Sequence, residues 1–99
     1  MTLNSGTILR RIVTSKLSTS AHKLATIILD ATSWKDGFNG LERGTASFFL
    51  IDLEVMMGVS RQYLSLLLAE LDASDLGLER KKLGNKFSPW TFRWLPVDK

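Results

Sequence analysis

Asp52 to Leu71 reads D-L-E-V-M-M-G-V-S-R-Q-Y-L-S-L-L-L-A-E-L, and this stretch decides the fold. Asp52 can open a helix, because its carboxylate accepts from free N–H groups and favours the positive helix end. Leu53, Met56 and Met57 are expected to face inward from that helix. Gly58 can take the left-handed backbone that ends a helix, with no Cβ to clash. Val59 is then placed to bury in the angle, and Ser60 offers a hydroxyl to cap a second helix. That helix should run to about Asp72, with Leu64, Leu67, Leu68 and Leu71 repeating at helical spacing along its core face.

Downstream, from Asp75, the chain runs D-L-G-L-E-R-K-K-L-G-N-K-F-S-P-W-T-F-R-W, which reads as a basic β-hairpin rich in aromatics. Leu76 and Leu78 alternate with Gly77 and Glu79, and Arg80 to Lys86 form the approach and turn around Gly84-Asn85. On the return, Trp90, Phe92 and Trp94 alternate with Thr91 and Arg93, a period of two that puts three large rings on one face. Such rings imply substantial burial against the helices. Pro89 suits the start or edge of that strand, and Pro96 the end of the fold.

Upstream, Ser18-Thr19-Ser20 supplies N-cap hydroxyls for a helix that ends near Thr32. Ala21, Leu24, Ala25, Ile28 and Ala31 form its apolar face, which Ile27 and Leu29 widen. Residues 33–45, S-W-K-D-G-F-N-G-L-E-R-G-T, read as a glycine-rich loop that either carries a function or packs Trp34 and Phe38 as anchors. Ser47 to Leu50 is a short β-prone run. Residues 1–17 show no clear cap; Ile8, Leu9, Ile12 and Val13 suit a short helix or a packing arm. The domain proper is expected over residues 18–96, with 1–17 as an N-terminal arm or extra helix.

The 99 residues are enough for one domain and one core. With 44% hydrophobic and 23% charged residues the chain is globular in composition, not disordered. The absence of cysteine excludes a disulfide framework and thiolate metal sites, and fits a reducing cytoplasm. No apolar run approaches the roughly 18 residues of a membrane span. Nor does an apolar segment with a cleavage site follow Arg10-Arg11, so no signal peptide is expected.

The net charge of +3 is unevenly spread. Arg10, Arg11 and Lys16 face no acids in residues 1–20. Lys23, Lys35, Arg43 and Arg61 face eight carboxylates in residues 21–75. Arg80, Lys81, Lys82, Lys86, Arg93 and Lys99 face only Glu79 and Asp98 in the remainder. A basic hairpin beside a candidate recognition helix suits a polyanion, although short chains also carry charged ends for solubility.

Catalytic chemistry finds little material. His22 is the sole histidine, with no spaced carboxylate set for a metal or a general-base pair. Gly40 and Gly44 lack the G-K-[ST] that a phosphate-cradling loop needs. Met56 and Met57 read as core filler rather than sulfur ligands. No enzyme activity, cofactor or metal is expected.

From about Thr45 to Trp94, the chain resembles the winged helix-turn-helix DNA-binding proteins of bacteria and phages. Asp52-Leu53, Gly58-Val59-Ser60-Arg61 and Leu68 carry the likeness, with Leu76-Gly77-Leu78-Glu79-Arg80 where the wing would begin. Two positions depart from the family pattern. Glu54 stands where a small residue, often Ala, is usual, so its carboxylate must reach solvent or find a partner. Leu66 stands where a basic or polar residue is common.

The resemblance implies an α+β fold: a three-helix winged helix-turn-helix core with a small antiparallel sheet ending in the wing. It implies double-stranded DNA as ligand, with the recognition helix (about 60–72) in the major groove and the wing (about 76–94) on the backbone or minor groove. Arg61, Gln62, Ser65 and Leu66 would then meet base edges. Arg pairs bidentately with guanine and Gln with adenine, each contact contributing about 1–3 kcal/mol of discrimination. Leu66 suits a thymine methyl or, equally, a protein interface. Ser60, Tyr63, Arg80, Lys81, Lys82 and Lys86 would meet the backbone, with Tyr63 as suited to packing as to phosphate.

The function implied is a small transcriptional regulator, cytoplasmic and nucleoid-associated, with no membrane partner. It would act as a homodimer if its site is a palindrome. The N-terminal segment with the first helix, or the aromatic hairpin, would supply the dimer surface. Two alternatives stand beside it: a plasmid or phage replication or recombination accessory factor, and a winged-helix module with a protein partner.

Overall fold

The computed structural model describes residues 4–34, 43–82 and 89–95. In chain order the elements are α1 (Ser5–Thr14), α2 (Thr19–Asp30), β1 (Thr45–Phe48), α3 (Leu50–Met57), α4 (Arg61–Ala73), β2 (Leu78–Lys82) and β3 (Trp90–Trp94). The chain is α+β, and the three strands form an antiparallel sheet in the order β1-β3-β2. Among the described residues four helices line the core: residues 1–17, expected as an arm or an extra helix, supply α1, which adds Ile8 and Ile12 to the core of the three expected helices.

Helix α1 starts on a reciprocal cap that the sequence reading missed. Asn4 Oδ1 accepts from the Thr7 amide at 3.0 Å while Thr7 Oγ1 accepts from the Asn4 amide at 3.1 Å, satisfying two early donors at once. Ile8 and Ile12, four apart, are buried, whereas Leu9 and Val13 turn outward. Helix α2 opens as expected on Ser18, whose hydroxyl accepts from the Ala21 amide at 3.2 Å. Ala21, Leu24, Ala25, Ile28 and Leu29 are buried. Ala31, expected on that face, follows the last helical residue and is exposed.

The segment after β1 corrects two expectations. The strand spans Thr45–Phe48 rather than Ser47–Leu50, because its register sets Ala46 opposite Phe92 and Phe48 opposite Trp90. Phe49 is then the cap of α3, which begins at Leu50 rather than Asp52. Asp52 lies within the first turn, and no side chain caps this helix. The inward face of α3 takes Leu53 and Met57, four apart, and leaves Met56 at 49% exposure rather than in the core.

The turn into α4 follows the sequence reading. Gly58 has φ 69° and ψ 36°, and its N–H donates to Glu54 O at 2.8 Å. Ser60 Oγ accepts from the Tyr63 amide at 3.2 Å to cap α4. Leu64, Leu67, Leu68 and Leu71 are all at most 2% exposed, each such burial contributing about 1.5–3 kcal/mol.

Buried polar groups tie the sheet to the helices. Trp94 Nε1 donates to Thr32 Oγ1 at 3.0 Å, and that hydroxyl donates in turn to Ile28 O at 2.7 Å, just past the end of α2. Arg11 Nη1 donates to Leu76 O at 3.0 Å and Leu95 O at 2.7 Å, fastening to α1 the end of the β2–β3 pair where Leu78 stands opposite Trp94. Burial draws the Arg11 pKa below the ordinary arginine value. Phe48 and Phe92 meet edge to face at 6.1 Å. Ser33 N donates to Thr45 O at 2.9 Å, so the ends of the glycine-rich segment are joined where β1 begins. Phe38 and the turn expected at Gly84-Asn85 lie outside the described residues, as does Pro96.

Candidate functional site

Helix α4 has one face in the core and must show the rest of its circumference to something else. Gln62, Leu66, Ala69 and Ala73 lie opposite the leucine stripe and are exposed, Leu66 at 67%. Arg61, Ser65 and Asp72 flank this strip on one side, Tyr63 and Glu70 on the other. Among the residues expected to meet bases, the turn at Gly58 and the Ser60 cap thus bring Arg61, Gln62, Ser65 and Leu66 together on the exposed side of α4.

Both flanks are held by contacts that spacing alone does not reveal. Glu54, on the last turn of α3, pairs with the Arg61 Nε. This is the partner that the carboxylate required. The Tyr63 hydroxyl donates to Ser20 Oγ at 3.2 Å. Glu70, two turns further on, accepts from the Ser18 amide at 2.7 Å and from the Ser18 hydroxyl at 2.8 Å. These two bonds, with a smaller pull from His22, hold the Glu70 pKa below the ordinary carboxylate value against a weak opposing effect of burial. Tyr63 and Glu70 therefore bracket the start of α2.

Strand β2 runs beside α4, and its residues alternate between two faces. Leu78, Arg80 and Lys82 stand opposite Trp94, Phe92 and Trp90 in register, on the helix side. Arg80 is fully engaged there. Its Nε and Nη2 each approach Asp72 Oδ2 at 2.9 Å, and its guanidinium carbon lies 4.9 Å from the centre of the Trp90 ring. Lys82 Nζ lies 5.9 Å from the same ring. These two cations cover Trp90, which is only half-buried, unlike Phe92 and Trp94. Lys81, read alongside Lys82 in the sequence, stands on the other face with Glu79, Thr91 and Arg93. Lys86 lies outside the described residues.

The electrostatic outcome is mixed. Helices α3 and α4 carry Asp52, Glu54, Glu70 and Asp72 against Arg61. Two of those acids occupy the cations Arg61 and Arg80, so no unbroken basic stripe links Arg61 to the lysines of β2 among the described residues. The outer side of α3 is also apolar: Ile51 is 56% exposed and Val55 76%, with Phe49 and Met56 close to half. The sequence held a signal for this, since Leu50 to Met57 is apolar on nearly every side and one short helix cannot bury all of it.

Among the described residues no cluster of three His, Asp or Glu side chains could hold a metal ion, and no helix is long and apolar enough to cross a membrane. Comparison with family models, with curated proteins and with solved structures finds no match to this chain.

Proposed function

We propose that this chain is a winged helix-turn-helix protein that binds double-stranded DNA sequence-selectively and acts as a small transcriptional regulator. The order α2-β1-α3-α4-β2-β3, with a small antiparallel sheet in the order β1-β3-β2, is compatible with a winged helix and supports this reading. The observation that carries the functional step is the exposed quartet Arg61, Gln62, Ser65 and Leu66 at the capped start of α4, beside a lysine-bearing strand. A helix presented by its N-terminal side can enter a major groove, where Arg61 and Gln62 reach base edges and Leu66 a thymine methyl.

The lysines of β2 suit the same ligand. A strand pair lying in a groove has a phosphate backbone on each side, and Lys81 and Lys82 point to opposite faces. Arg80, bound to Asp72, braces the strand against α4. Tyr63 is tied to Ser20 through its hydroxyl and orders the start of α4 against α2. A DNA ligand implies a cytoplasmic, nucleoid-associated protein, and a palindromic site would engage it as a homodimer.

The apolar outer side of α3 favours a second reading, a protein-interaction module. Exposed Ile51, Val55 and Met56 form a patch of the kind that partners cover. Amide-shift mapping by NMR on titration with duplex DNA separates the two. The DNA reading expects shifts concentrated at residues 60–66 and along β2 and β3. Shifts confined to residues 49–56, or none at low salt, would contradict it.

A further inference from the structure

Glu54 sits four residues before Gly58, and the turn brings its carboxylate to the Arg61 Nε. The two members are unequally placed: the Glu54 side chain is 18% exposed and that of Arg61 54%. The acid is thus the sheltered member, and the guanidinium reaches out toward whatever meets α4. A guanidinium is planar, with N–H donors on several edges. Here the Nε edge is occupied, while the two Nη groups have no hydrogen-bond partner among the described residues.

We propose that Glu54 is a positioning residue that aims Arg61 at a guanine, a sharpening of the DNA-binding reading on which it rests. A free arginine on a DNA-facing helix samples many rotamers and takes a phosphate oxygen as readily as a base. Held at Nε, its plane is fixed, and the paired Nη groups present the end that matches guanine O6 and N7 bidentately. The carboxylate also repels nearby phosphates, which weakens binding wherever the base partner is absent. Glu54 therefore lowers affinity for random duplex and raises selectivity.

That opposition of signs is the signature, because mere damage to the fold would lower both quantities. Wild type, Glu54→Ala, Glu54→Gln, Arg61→Ala and the Glu54→Ala/Arg61→Ala double variant are each selected against a duplex library with a randomised centre. Each is also titrated with unselected random duplex, and melting curves confirm that it is folded. The readout is base preference at the position that Arg61→Ala erases.

Glu54→Ala is expected to reduce a guanine preference of about tenfold to about twofold. It should also bind random duplex about threefold more tightly, the size of one screened surface charge. Glu54→Gln keeps an oxygen acceptor for Nε and should keep most of the preference. In the Arg61→Ala background, removing Glu54 should leave base preference unchanged. If Arg61→Ala erases a preference that Glu54→Ala leaves intact, positioning by Glu54 is overturned while DNA binding stands. A preference lost on removing Glu54 even without Arg61 also overturns it. A folded wild type that binds no duplex overturns the DNA reading and the positioning role together.

Discussion

The bond between Trp94 and Thr32 anchors the last strand to the end of α2, so removing either partner should loosen the sheet that supports β2. Trp94 is 1% exposed, and its indole N–H has Thr32 Oγ1 as acceptor at 3.0 Å. Trp94→Phe keeps an aromatic ring but deletes the donor and some volume, for a loss of about 2 kcal/mol. Thr32→Val does something different. It leaves the indole N–H buried without an acceptor and strips Ile28 O of the hydroxyl that donates to it at 2.7 Å. An unsatisfied buried donor costs about 1–3 kcal/mol, so this variant should lose about 2–3 kcal/mol. The double variant has no donor left to orphan and should lose about 3 kcal/mol rather than the sum of the two. A domain of this size loses about 4–8 °C of Tm per kcal/mol. Each single change should therefore lower Tm by roughly 10–20 °C, read by far-UV circular dichroism. Urea unfolding of all four proteins gives the coupling directly. Single effects that add within about 0.5 kcal/mol would show that the two groups do not act together and refute the placement of β3.

Two further outcomes test local structure. Gly58→Ala should lose about 1–2 kcal/mol, because Gly58 has a positive φ of 69° and an added Cβ would meet nothing within 4 Å, so backbone strain acts alone. Gly58→Asn should lose less, and an unchanged urea midpoint for the alanine variant would contradict the left-handed turn. Glu70 has a folded pKa below its unfolded value, so its contribution is complete above the ordinary glutamate range and disappears as pH falls through the lowered folded value. Melting curves against pH should show wild type losing its advantage over Glu70→Gln on acidification; a gap that stays constant into strong acid would rule this out.

The legibility of the fold followed how far each residue's environment was set by its neighbours in sequence. Gly58 and Ser60 were readable because a helix end and a helix cap are local problems with few residue solutions. The leucines of α4 were readable because one helix face meets one core. The start of α3 was not, since its position depends on where β1 stops pairing with β3, a contact across the chain. Met56 was misplaced for a related reason. In a short helix apolar on nearly every side, periodicity does not say which stripe the core will take.

The candidate site divided in the same way. Spacing brought Arg61, Gln62, Ser65 and Leu66 to one side of α4. The ion pairs around it each join two elements, Glu54 of α3 with Arg61 of α4 and Asp72 of α4 with Arg80 of β2. Glu54 was visible as an anomaly needing a partner, but the partner's identity required the turn geometry. The separation of Lys81 from Lys82 follows from strand alternation once β2 is known to begin at Leu78.

The most direct measurement is fluorescence anisotropy of random-sequence duplex DNA, titrated with wild type and with Lys81→Ala/Lys82→Ala across a salt series. Each phosphate neutralised contributes about −0.9 to the slope of log affinity against log salt. A DNA-binding winged helix should bind at low salt with a steep slope, and the double lysine change should flatten that slope by nearly two units. Folded protein that fails to bind at low salt would contradict the proposal and leave the apolar side of α3 as the functional surface.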